Sequence, residues 1–149
     1  MSIVRLTKCF HFEMAHALNF YDGLCRNIHG HSYRLEVTVK GEPIQDVNSP
    51  KNGMLMDFSD LKHIVEGSII QRFDHALVLS SQTSQDLIEM LKKYYKKIEI
   101  VDYQPTSENF IMDFVPLIQP HLPKGVQLYS ITLGETASSY VQWLADDNQ

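Results

Sequence analysis

Apolar side chains recur at alternate positions from Val4 through Leu6, Phe10, Phe12 and Met14 to His16, broken by Lys8, and a period of two is the signal of a half-buried strand. His16 falls on the inward face of that strand. A second run, His29 to Gly41, alternates more cleanly: His29, His31, Tyr33, Leu35, Val37 and Val39 share one face, and Ser32, Arg34, Glu36, Thr38 and Lys40 share the other. Such a division predicts an antiparallel sheet with one covered side. Between the two runs, Asn19 to Asn27 reads as a loop with Asp22-Gly23 as its turn signal, and it delivers Cys25 to the foot of the second strand.

The period then changes. Asp46 to Gly53 is rich in Pro, Asn and Gly and reads as a loop. Asp57 is placed to cap a helix whose Phe58, Leu61, Ile64, Val65, Ser68 and Ile69 lie on one face and which ends near Arg72. After Phe73-Asp74-His75-Ala76-Leu77-Val78-Leu79 comes a polar opening, Ser80 to Gln85, and an amphipathic helix with Leu87, Ile88, Leu91, Tyr94 and Tyr95 in helical spacing. Ile98 to Asp102 alternates briefly, as a minor strand would. Pro105-Thr106-Ser107-Glu108-Asn109 is a helix-start signature, with Thr106 or Ser107 as cap, and Phe110, Ile111, Phe114, Leu117 and Ile118 continue that helix to Pro120. Val126 to Glu135 and Ser138 to Leu144 read as a closing hairpin around Thr136-Ala137. The order strand, strand, three helices, strand, strand predicts an α+β domain with helices on one face of an antiparallel sheet.

Composition narrows the classes. A chain of 149 residues without repeats or linkers reads as a single domain, 1–149, able to bury its own core. Hydrophobic residues make up 44% and charged residues 21%, with no apolar run of membrane-spanning length. Neither an export signal nor a membrane partner is expected, so the cytoplasm is the expected location. Thirteen basic against eighteen acidic residues give a formal charge of −5 and no basic stripe, which argues against a nucleic-acid partner. The two cysteines, Cys9 and Cys25, read as free thiols.

Candidate chemistry gathers at Cys25-Arg26-Asn27-Ile28-His29-Gly30-His31. His29 and His31 project from one strand face, and His16 lies on the inward face of a neighbouring strand, within reach across a strand spacing of about 4.7–4.9 Å. Three neutral imidazoles suit a borderline-soft divalent metal such as zinc and leave one coordination position open. Cys25 admits three readings: buried filler, fourth ligand of a closed structural site, or a thiolate beside an open one. Asp74-His75 favours the last, because a carboxylate that orients an imidazole near a thiol makes that thiol a base or nucleophile. Adjacent strand residues point apart, so the pair requires a turn or distorted backbone. Glu135 stands at the end of a row formed by Tyr129, Ile131 and Leu133, an unusual place for an unpaired carboxylate. Glu108 in a first helical turn is explained by the helix dipole alone. His11, His63 and His121 get no role.

Together these residues resemble the 6-pyruvoyltetrahydropterin synthase and 6-carboxytetrahydropterin synthase family. The likeness is carried by Phe12-x-x-Ala15-His16, Cys25-x-x-x-His29-Gly30-His31, Met56-Asp57-Phe58 with Leu61-Lys62, Phe73-Asp74-His75, Pro105-Thr106-Ser107-Glu108-Asn109 and Glu135-Thr136, whereas Ser80 to Tyr103 departs from the family pattern. The resemblance implies zinc on His16, His29 and His31, proton transfer by Cys25, Asp74 and His75, and a pterin anchored by Glu135 with Thr106 and Glu108 in the pocket. It implies the tunnelling fold, a four-stranded antiparallel sheet backed by helices that closes into a barrel by homo-oligomerising, with a hexamer favoured. It implies 7,8-dihydroneopterin triphosphate as the small-molecule substrate. The three-residue gap between Cys25 and His29 resembles the 6-carboxy branch, which releases acetaldehyde and triphosphate and serves queuosine biosynthesis. The 6-pyruvoyl activity is the alternative within enzymes, and a non-enzymatic zinc-stabilised module the alternative outside them. Arg26, Lys62 and Arg72 are the cations nearest these motifs for a triphosphate.

Overall fold

The computed structural model describes residues 2–149. Strand β1 (Val4–His16) pairs antiparallel with β2 (His29–Gly41) along its whole length, from Val4 opposite Gly41 to His16 opposite His29. The register is dictated by burial. Phe10, Phe12 and Met14 on β1 and Tyr33, Leu35, Val37 and Val39 on β2 must reach the same covered face, and a slip of one residue would expose both rows.

On the far side of β2 lie β5 (Val126–Gly134) and β6 (Tyr140–Leu144), both antiparallel, so the four strands expected of the sheet are present and contiguous. The sheet nevertheless has six strands, not four, and it is mixed. Strand β3 (Ala76–Ser80) runs parallel to the end of β1, with Met14, Ala15 and His16 opposite Ala76, Leu77 and Val78, and β4 (Ile98–Val101) runs parallel to β3. The order is β4-β3-β1-β2-β5-β6. A short strand hidden on both faces carries no alternation, which is why Ala76 to Leu79 gives no strand signature in sequence.

A second correction concerns Tyr129. Thr38 pairs with Ser130 but Val39 pairs with Leu128, so Tyr129 is the extra residue of a β-bulge. The bulge resets the alternation: Leu128, Ile131 and Leu133 are buried, and Tyr129 turns to the other face, where the Arg5 guanidinium sits 3.9 Å from its ring centre. Glu135 therefore follows a row of Ile131 and Leu133 without Tyr129.

Helix α1 (Phe58–Val65) begins at Asp57, whose carboxylate accepts from the Ser59 N–H at 2.8 Å. It continues through a π-helical turn, Glu66–Ile70, into α2 (Gln71–Phe73). Leu61, Val65, Ile69 and Phe73 point to the sheet, whereas Phe58, expected on that face, is 57% exposed because the first turn overhangs the core. Helix α3 (Gln85–Tyr94) buries only Ile88 and leaves Leu87, Met90, Tyr94 and the following Tyr95 in solvent. Helix α4 (Ser107–Ile118) is capped by Thr106, whose hydroxyl accepts from Asn109 N–H at 3.2 Å.

Phe110, Ile111, Phe114 and Ile118 press α4 on the sheet, and Phe110 stacks between Phe73, Phe114 and the site end of β2. Truncating so buried a ring to alanine costs about 3–5 kcal/mol. Arg72 ties these parts together through Glu99 at 2.6 Å and Asp113 at 3.5 Å, with Tyr103 donating to Asp113 at 2.6 Å. No helix among the described residues is long and apolar enough to cross a membrane.

Candidate metal centre and active site

The register of β1 and β2 makes His16 and His29 direct cross-strand partners, and His31 follows His29 on the same face two residues on. The ring centroids lie 4.6 Å (His16 to His29), 5.3 Å (His16 to His31) and 5.0 Å (His29 to His31) apart, and one ligand nitrogen from each lies within 4.8 Å of the others. The three Nε2 atoms are buried without a hydrogen-bond partner. Buried polar nitrogens left unsatisfied in a group are costly unless something binds them.

Two of the other nitrogens are spoken for. His16 Nδ1 lies 2.6 Å from the carbonyl oxygen of Pro105, and His29 Nδ1 lies 2.7 Å from that of Asn27. A carbonyl only accepts, so both rings carry their proton on Nδ1 and turn the Nε2 lone pair inward, the tautomer that a metal ligand needs. Desolvation lowers the His16 pKa against the opposing bond to Pro105, and neighbouring His29 adds to the lowering, so the ring stays neutral. One nitrogen from each of the three rings lies within 4.8 Å of the others, and the donor set fits a metal with an open position.

Cys25 Sγ lies outside that set. The thiol sits in a 3₁₀ turn, Leu24–Arg26, and is partly exposed; both it and Cys9, exposed on β1, are free of disulfides.

Glu135 meets the cluster from β5. Its Oε1 lies 3.1 Å from His31 Nε2, a close approach without hydrogen-bond alignment, and its Oε2 accepts from the buried Ser107 hydroxyl at 2.5 Å. Tyr33 is fully buried beside these groups, its hydroxyl unpartnered within the chain. Burial first and the Glu135 charge second push it well above the ordinary phenol range, so it stays a donor.

Asp74 and His75 do come together. Asp74 Oδ1 is 3.0 Å from His75 Nδ1 and also accepts the Glu13 N–H at 3.0 Å. His75 takes φ of 62°, the left-handed conformation expected to be costly for a non-glycine residue, and this bend is what lets adjacent side chains meet. Its own N–H is anchored on Glu13 O at 2.6 Å. The ring is 76% exposed and lines a cavity of about 300 Å³ with Glu13, Ser32 and His31 of the imidazole cluster. Among the described residues, no hydrogen bond or ion pair joins Cys25 to Asp74 or His75.

Of the remaining expected residues, Thr106 spends its hydroxyl on the helix cap and Glu108 is exposed in the first turn of α4. Arg72 is committed to Glu99 and Asp113, and Lys62 lies 3.8 Å from Glu66, which leaves Arg26, next to Cys25 in sequence, as the one of these three cations without an ion pair among the described residues. Sequence reasoning passed over three contributors: the Pro105 carbonyl, the Ser107 hydroxyl and Tyr33. Ser107 had a signal, since a serine that is not the cap at a helix start is free for other bonds. A backbone carbonyl carries none.

The family model described as 6-pyruvoyl tetrahydropterin synthase matches residues 5–145. A Haemophilus influenzae protein named 6-carboxy-5,6,7,8-tetrahydropterin synthase is 33% identical over 141 residues, covering 93% of this chain and 97% of that protein. A Rickettsia bellii protein of the same name is 26% identical and covers 94% and 99%. Among solved structures, Caenorhabditis elegans 6-pyruvoyl tetrahydropterin synthase superposes with a TM-score of 0.69 at 24% identity, over 97% of this chain and 96% of that one, a likeness of fold. With three convergent imidazoles at one end of the sheet and a family match along nearly its whole length, this chain belongs to the 6-pyruvoyl tetrahydropterin synthase family.

Proposed function

We propose that this chain converts 7,8-dihydroneopterin triphosphate to 6-carboxytetrahydropterin, with release of acetaldehyde and triphosphate, as a lyase of queuosine biosynthesis. The observation that carries the reading is the convergence of three unpartnered Nε2 atoms from His16, His29 and His31, a group that Cys25 does not join. The names of the relatives that match along the full chain favour the 6-carboxy product over the 6-pyruvoyl one.

His16, His29 and His31 would hold zinc, which supplies Lewis-acid polarisation of the substrate's side-chain oxygens. The chain's own groups do the rest. Cys25, as thiolate, would take a carbon-bound proton, and His75, oriented by Asp74, would act as the partner acid or base, a contribution typically worth ~10²–10⁴-fold. Glu135 would receive the pterin's amino and amide N–H groups, with Ser107 holding one of its oxygens. Thr106 and Glu108 would border that pocket, and Arg26 is the free cation closest in sequence to the thiol.

Among the described residues Asp74-His75 has no hydrogen bond or ion pair to Cys25 of its own chain, and the His75 ring is 76% exposed, which supports an active site shared between copies of a homo-oligomer, the pair of one copy serving the thiol of another. The test of function is incubation of the zinc-loaded protein with 7,8-dihydroneopterin triphosphate. Acetaldehyde with 6-carboxytetrahydropterin is the expected outcome. Accumulation of 6-pyruvoyltetrahydropterin without acetaldehyde would assign the other branch, and no turnover would favour a zinc-stabilised module.

A further inference from the structure

The loop that carries Cys25 has little of its own to hold it. Leu18 N–H bonds Cys25 O at 3.0 Å, and two short turns follow, Arg26 N–H to Gly23 O at 3.3 Å and Asn27 N–H to Leu24 O at 3.0 Å. Phe20 and Leu24 are 89% and 87% exposed, and Tyr21 between them is 44% exposed. The tie from outside comes from Gln104. Its Oε1 accepts the Asn19 N–H at 3.0 Å and its Nε2 donates to Asn19 O at 2.7 Å, so one side-chain amide copies both bonds of a strand pairing.

Gln104 is itself fixed, because its carbonyl oxygen receives the Thr106 N–H at 2.7 Å and Asn109 Nδ2 at 2.9 Å. The residues that follow it reach the rest of the site: Pro105 O meets His16 Nδ1, and Ser107 donates to Glu135. One strap of four residues before and at the start of α4 thus touches the thiol loop, an imidazole and the carboxylate.

We propose that Gln104 is a positioning residue for Cys25: its amide clamps the Asn19 backbone and, through the adjoining Leu18 to Cys25 bond, holds the thiol in register with the imidazole cluster fixed by the same strap. This rests on Cys25 being the proton-transfer thiol. Only glutamine serves here. Asparagine is a methylene short, glutamate keeps the acceptor but faces Asn19 O with no donor, and methionine keeps the volume with neither group.

The experiment compares zinc-loaded wild type, Gln104→Met and Gln104→Glu, reading turnover and, in a Cys9→Ser background, the rate at which iodoacetamide alkylates Cys25. Gln104→Met is expected to lower kcat by up to about 10²-fold, as small misplacements of reacting groups do. KM and zinc content should stay within about twofold, and the Cys25 alkylation rate should change severalfold. Gln104→Glu should move both in the same direction by less. An unchanged alkylation rate and kcat in folded Gln104→Met would overturn the proposal, and so would a lowered kcat that tracks zinc loss, which would place the effect at His16. The alkylation readout does not depend on the chemistry assigned to Cys25. Full turnover by Cys25→Ala would remove the thiol from the mechanism and leave the clamp still measurable.

Discussion

His16 donates its Nδ1–H to the carbonyl oxygen of Pro105 at 2.6 Å, and that one buried bond across 89 positions of sequence decides which nitrogen faces the cluster. The inward Nε2 is then a lone pair with no protein partner, shared in character by His29 through Asn27 O. His16→Ala or His29→Ala should therefore drop bound zinc from one ion per chain to well below it, measured by elemental analysis after dialysis against a weak chelator. Cys25→Ala should keep its zinc. Equal metal content in all three variants would mean the ion binds elsewhere.

The same burial predicts a pH dependence of the metal-free protein. The folded pKa of His16 lies below that of an unfolded imidazole, about 6.5. Between those two values the unfolded chain binds the extra proton, so stability is fully present above about pH 6.5 and is lost as pH falls through the folded pKa. The melting temperature of the zinc-free protein should fall on acidification from pH 7 to 5, and His16→Leu should flatten that slope. A slope unchanged in His16→Leu would assign it to other groups.

Glu135→Gln keeps the shape of the side chain and replaces one acceptor oxygen with an NH₂ group. Either the Ser107 hydroxyl or a pterin donor then meets a donor, a mismatch worth about 1–3 kcal/mol. Substrate binding should weaken by roughly 5- to 150-fold with zinc unchanged. Wild-type affinity would shift the pterin anchor to Glu108.

Cys25→Ala and His75→Ala are each expected to fold, hold zinc and lose most turnover, and combined in one chain they should cost little more than either alone. Mixing the two variants and allowing subunits to exchange should restore part of the activity, because a hybrid places an intact thiol beside an intact Asp74-His75 pair from another copy. Mixtures as inactive as their components would put thiol and imidazole on the same chain.

Much of this was legible in residue order because it rests on local periodicity. The alternation of β1 and β2 places His16, His29 and His31 on one face, and the caps at Asp57 and Thr106 mark two helix starts. What escaped depends on partners distant in sequence or on broken rules. Ala76–Ser80 became a strand by parallel pairing with β1 while hidden on both sides, and the bulge at Tyr129 reversed an alternation that its neighbours implied. The pattern of α3 reads as an amphipathic helix, yet of its apolar stripe Leu87, Tyr94 and the following Tyr95 stay exposed in the single chain. Pattern placed the need for a distorted backbone at Asp74-His75, and the left-handed His75 supplies it.

Cobalt in place of zinc tests most directly whether three imidazoles form an open centre and leave Cys25 free for proton transfer. The cobalt protein should show the visible bands of a low-coordinate site with nitrogen ligands, altered by added substrate and unaffected by Cys25→Ala. A strong thiolate-to-metal charge-transfer band that disappears in Cys25→Ala would show a closed, cysteine-ligated site and contradict it.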